Sequence, residues 1–195
     1  MSKDAIQRQW PSNNPVMSAS AAGMRCNGGT SAPAAATAKP GDAITAIWNQ
    51  WTHSQGPVMV WLYKCAGDFK SCDGSGKGWF KIDQGGFTPK AGIFLDTETP
   101  SGWAIAQITK TKEWTTKLPN VAPGNYILRH ELIALHSANA PQYYPECANL
   151  VVTGSGTLTP SADYLVSIPG YVAQNSPSVN VSFDSPSQKQ SGVQC

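Results

Sequence analysis

An all-β fold is the prediction for this chain, and three observations carry it. Charged residues make up only 13% of the 195 positions, too few to cover the outer faces of a helical bundle. The 18 glycines and 15 prolines punctuate the chain with turns. Between the turns lie about seven short stretches rich in β-branched and aromatic residues, without the alternating helices that a parallel α/β sheet requires.

The first 42 residues are polar and rich in Pro and Ala, as in Pro11-Ser12-Asn13-Asn14-Pro15 and the run from Ala32 to Pro40, and are expected to form irregular loops. Strands are predicted from there on, at 43–49, 58–64, 79–82, 104–108, 114–118, 126–136 and 148–153, each bounded by Gly, Pro or Asn signals. Residues 131–140 also fit an amphipathic helix through Leu132 and Leu135. Against that, Pro123-Gly124 is a turn, and Tyr126, Leu128, His130 and Leu132 alternate with Ile127, Arg129, Glu131 and Ile133 as on a pleated ribbon. Alternation alone leaves the two readings open. Residues 176–195 are polar and Ser-rich and are expected to form a loosely ordered tail. The length suits one domain spanning 1–195 with a substantial core.

Several functions are disfavoured at once. A formal charge of +2 with dispersed Lys and Arg gives no electrostatic footprint for nucleic acid. No apolar run approaches the length of a membrane span. No Gly-x-Ser-x-Gly elbow and no phosphate-binding glycine loop is present. A glycosidase would need two facing carboxyls; Asp96 and Glu98 read as a polar loop, and Glu131, next to Arg129, as solvated or ion-paired. The first residues carry no basic, apolar and small-residue succession of a secretory leader. Five cysteines leave at least one over if two disulfides form. Cys65 and Cys72 lie close in a Gly- and Asp-rich loop, whereas a bridge between Cys26 and Cys147 would join distant segments.

Two motifs are more specific. Trp51-x-His53-x-x-Gly56-Pro57 and Gln142-x-Tyr144-Pro145-x-Cys147 lie far apart in the chain, with His136 a few residues before the second. Together they resemble the fungal copper-dependent lytic polysaccharide monooxygenases, Auxiliary Activity family 9, formerly glycoside hydrolase family 61. The resemblance implies an immunoglobulin- or fibronectin-like β-sandwich with long loops, and so decides 126–136 as strand. It implies copper as cofactor, with His53 as an imidazole ligand and Tyr144 as the axial phenol. It makes His136 and Gln142 the outer pair that hydrogen-bonds the oxygen species, and Tyr171 a ring offered to substrate. It supports the pairings Cys26–Cys147 and Cys65–Cys72, leaving Cys195 free, and reads His130 within Arg129-His130-Glu131 as a core residue with hydrogen-bond partners. Family members begin with a histidine that chelates copper through its amine and ring; this chain opens Met1-Ser2-Lys3-Asp4, so it is expected to hold copper weakly.

The implied function is oxidative cleavage of cellulose or a related β-glucan by hydroxylation at C1 or C4, with an external electron donor, in a secreted monomer. The alternative is a non-catalytic paralogue or truncated isoform that keeps the fold and glycan binding. Trp48, Trp61, Trp79 and Trp114 are expected to fill the sandwich, and Asn180-Val181-Ser182 is the one N-glycosylation sequon.

Overall fold

The structure is a computed structural model, and it describes residues 2–90, 93 and 101–183. Among the described residues eight strands follow in the order β1 (Ala36–Ala38), β2 (Ala43–Ile47), β3 (Val58–Lys64), β4 (Lys77–Gly85), β5 (Glu113–Lys117), β6 (Gly124–Ala134), β7 (Gln142–Val152) and β8 (Val166–Ser167), with helix α1 (Ala104–Thr111) between β4 and β5. They form a six-stranded sheet of order β1-β7-β6-β3-β4-β8 and a two-stranded sheet, β2-β5. Pairing is antiparallel throughout except for β1, which runs parallel to β7.

Strand periodicity sorts the core. Val60, Leu62, Phe80, Tyr126, Leu128, Leu150 and Val152 point from the large sheet toward β2-β5 and meet Ile44, Trp114, Leu118 and Val121. At one end of the same face, Val58 and Leu132 pack with Trp48, Trp51 and the α1 residues Ile105 and Ile108. The opposite face carries Met59, Trp61, Trp79, Ile127, Ile133 and Tyr143, covered by Ala19, Met24, Ile168, Val179 and Val181 from the loops at the two ends of the chain.

Both disulfides form as the family resemblance implied, Cys26–Cys147 and Cys65–Cys72. Arg8 ties them together: its N–H donates to Cys147 O at 2.7 Å and its guanidinium to Cys72 O at 2.7 Å. Cys195, Asp96 and Glu98 lie outside the described residues.

Four expectations need correction. Residues 104–108 are helical: in so short a segment the Ala and Ile positions satisfy both periods, and burying Ile105 and Ile108 together, three residues apart, selects the helix. Within 1–42, strand β1 and a 3-10 turn at Ala22–Met24 interrupt the loops. The tail prediction fails over 176–183, because Val179 and Val181 are buried beneath it. His130 is buried, but its Nε2 has no hydrogen-bond partner. It pairs across the strands with Val60 and Glu146 and meets the Trp48 ring edge-on at 6.0 Å.

Candidate metal centre

Loop 51–57 presents His53, and its backbone is tethered at nearly every residue. The Lys112 ammonium donates to Trp51 O at 3.0 Å and the Ser101 hydroxyl to Ser54 O at 2.9 Å. Backbone N–H groups of Leu135, Ile105 and Ile133 donate to the carbonyls of Gln55, Gly56 and Pro57. Lys112 itself ends α1 with φ of 59°, which aims its side chain back across the loop. Gly56 has φ of 135°, and a Cβ there would lie 1.8 Å from Ile133 O. The Gly-Pro of the motif is therefore a packing requirement: only glycine lets the loop press against the end of β6.

Tyr144 and Gln142 come from the first turn of pleat in β7, two residues apart and on one face. The Tyr144 hydroxyl donates to Gln142 Oε1 at 2.8 Å, and His53 Nε2 lies 3.1 Å from the same hydroxyl. His136, just beyond β6, stacks on His53 with ring centroids 4.3 Å apart and planes within 7°. Trp51 stands edge-on to both His53, at 5.2 Å, and Tyr144, at 4.9 Å. Tertiary folding thus brings His53, His136, Gln142 and Tyr144 into one cluster.

The electrostatics favour a neutral imidazole. Burial first, and then the neighbouring His136, lower the pKa of His53 below its ordinary value, and a neutral ring is the form that ligates metal. Burial raises the Tyr144 phenol, keeping it protonated. Among the described residues no group of three or more His, Cys, Asp and Glu side chains converges as a metal cage. The His53 imidazole nitrogen and the Tyr144 phenol oxygen nevertheless lie 3.1 Å apart, and a nitrogen donor beside a weaker oxygen donor suits copper(II) in kind.

Tyr171 is not brought to this cluster. Its hydroxyl donates to Glu131 Oε1 at 2.7 Å, its ring lies beside Trp61 at 5.2 Å, and Arg129 stands over it. Glu131 points to the sheet face opposite Tyr144, since it pairs with Pro145, one residue along β7. The Arg129–Glu131 pair is fully buried, with Arg129 also donating to Met24 O and Arg25 O, which sets aside the solvated reading of Glu131.

Motif reading missed the cleft beside His53. It is about 560 Å³ in volume, and its lining includes Gln7, Trp10, Trp48, Trp51, Tyr144 and Glu146. Glu146 accepts from Gln7 Nε2 at 3.2 Å, and burial pushes its pKa up to about 7. Period-two alternation from Tyr144 was the available signal for its orientation.

A two-sheet β fold that brings His53 of a Gly-Pro loop against Tyr144 and Gln142 of β7 is consistent with the class of the lytic polysaccharide monooxygenases. The chain belongs to Auxiliary Activity family 9 (formerly GH61), whose profile matches residues 2–191. The family is copper-dependent. The chain is 62% identical over 185 residues to AA9 family lytic polysaccharide monooxygenase D of Thermothelomyces thermophilus, covering 93% of this chain and 72% of that protein. It is 43% identical to monooxygenase B of Heterobasidion irregulare, over 92% and 73% of the two chains. The crystal structure of a cellulose-active polysaccharide monooxygenase from M. thermophila superposes with a TM-score of 0.94 at 58% identity, over 98% of this chain and 86% of that one.

Proposed function

We propose that the chain cleaves cellulose oxidatively as a copper-dependent monooxygenase, with His53 and Tyr144 holding the metal and His136 and Gln142 ordering its outer shell. The observation that carries this reading is the approach of His53 Nε2, on its tethered loop, to within 3.1 Å of the Tyr144 hydroxyl on β7; the similarity to a cellulose-active relative supports the substrate. Bound copper would supply one-electron chemistry with dioxygen or peroxide, leading to hydroxylation at C1 or C4 beside the glycosidic bond. The protein's own share is positional. Loop tethers fix the His53 ring, and Trp51 walls off one side of it. Gln142 takes the Tyr144 proton as a hydrogen bond, so the phenol oxygen faces His53. His136, exposed at the rim, is placed to donate to an oxygen species. An external donor supplies electrons. The two disulfides suit a secreted, extracellular protein, and we take it to act as a monomer.

The test is mass spectrometry of products from cellulose with copper and a reductant. Oxidised oligosaccharides are expected, abolished by His53→Ala and reduced less by Tyr144→Phe, because the imidazole would be the stronger donor holding the metal and the phenol a weaker one that would tune it. A second reading rests on the lack of a three-residue metal cage among the described residues: a non-catalytic paralogue that binds glycan. Cellulose adsorption without oxidised products from copper-loaded protein would favour it.

A further inference from the structure

The loop after β8 returns beneath the large sheet and carries Asn180-Val181-Ser182, the one Asn-x-Ser/Thr sequence of the chain with a non-proline centre. Val179 and Val181 are buried in the core, at 5% and 2% exposure, while Asn180 between them keeps a partly exposed side chain. The Asn180 backbone N–H donates to Ser176 O at 2.8 Å, and the Ser176 and Ser178 hydroxyls pair at 2.8 Å, which fixes the turn that presents Asn180. Partial exposure makes Asn180 a surface position, as a glycan-bearing asparagine in a folded protein must be.

We infer that Asn180 is an N-glycosylation site. The donor is a lipid-linked diphospho-oligosaccharide of the secretory pathway. The bond between its anomeric carbon and the diphosphate oxygen breaks, a bond from that carbon to Asn180 Nδ2 forms, Nδ2 gives up one proton, and the lipid diphosphate leaves; no atom changes oxidation state. Ser182 completes the sequence that the transferase reads before folding. The position has a consequence for the metal centre. Val181 O accepts from Asn139 N at 2.7 Å, so the sequon is fastened to the loop that joins His136 to Gln142, and the glycan stands at that side of the cluster.

The full chain, secreted from a eukaryotic host behind an added leader, tests this by intact mass and peptide mapping before and after peptide-N-glycosidase treatment. The expected result is a hexose-rich glycan that the enzyme removes, leaving aspartate at position 180. Ser182→Ala should be secreted without it, and Ser182→Thr should retain it. Asn180→Gln should match Ser182→Ala, which alone suffices if the glutamine variant is secreted poorly. Wild-type protein recovered from the medium with both disulfides formed but with position 180 unmodified would overturn the site, as would a glycan that persists in Ser182→Ala.

Discussion

His130 on β6 and Glu146 on β7 face each other across the ladder, and burial drives their protonation in opposite senses. Burial brings His130 from 6.5 down to about 4, with Asp83 on β4 partly opposing. The unfolded chain therefore takes up this proton first as pH falls, and stability is lost between the two values. A shift of this size is worth about 3 kcal/mol. Glu146 works the other way. Its folded pKa of about 7 lies above the ordinary 4.5, so acidification through that window favours the fold. The two contributions offset in the wild type and separate in a variant. Urea denaturation of His130→Phe and wild type is expected to show a stability difference that grows by up to about 3 kcal/mol, in favour of the variant, between pH about 7 and pH about 4. A difference independent of pH would mean that His130 does not remain neutral in the fold.

At the scale of elements, loop 51–57 and helix α1 work as one unit. Lys112 at the end of α1 holds Trp51 O, Ile105 within it holds Gly56 O, and both anchors set where His53 stands. Gly56→Ala forces a Cβ against Ile133 O, a backbone clash at a positive φ that no rotamer relieves. The expected loss is about 3 kcal/mol or more in chemical denaturation, with weaker copper binding by calorimetry. Gly76, with φ of 83° and open space where a Cβ would go, is the control: Gly76→Ala should cost about 1 kcal/mol, the left-handed backbone alone. Equal losses at the two positions would show that the contact with β6 is unimportant.

Across the whole molecule, the loops at the two ends of the chain cover one face of the large sheet, and one covalent link, Cys26–Cys147, fastens the N-terminal one to β7. Cys26–Cys147 closes 121 residues and Cys65–Cys72 closes 7. By chain entropy the first is worth about 5 kcal/mol and the second about 2. Replacing each pair by serines should reproduce that order in denaturant midpoints, with the Cys26/Cys147 variant the less stable. The Arg129–Glu131 pair, buried beneath the same loops, joins their backbone at Met24 and Arg25 to β6 and keeps the 20s loop seated on the sheet.

The sequence by itself determined the fold class and named the side chains, His53, His136, Gln142 and Tyr144, that the fold brings together. Gly and Pro punctuation and the spacing of Trp51-x-His53-x-x-Gly56-Pro57 and Gln142-x-Tyr144 are local properties, legible without coordinates, and the family resemblance those motifs carry decided 126–136 as strand where alternation alone left helix open. The family motif also carried the disulfide pairs. Only the tertiary structure decided the rest, because each case turns on what lies across from a residue. Residues 104–108 became helical when Ile105 and Ile108 met Trp48 and Trp51. Tyr171 turned its hydroxyl to Glu131 because that buried carboxylate accepts it on the far face of the sheet. Alternation along β7 set the side to which Glu146 points, but only the fold put a cleft there, and His130 was left without a hydrogen-bond partner by pairings between strands that no short-range pattern records.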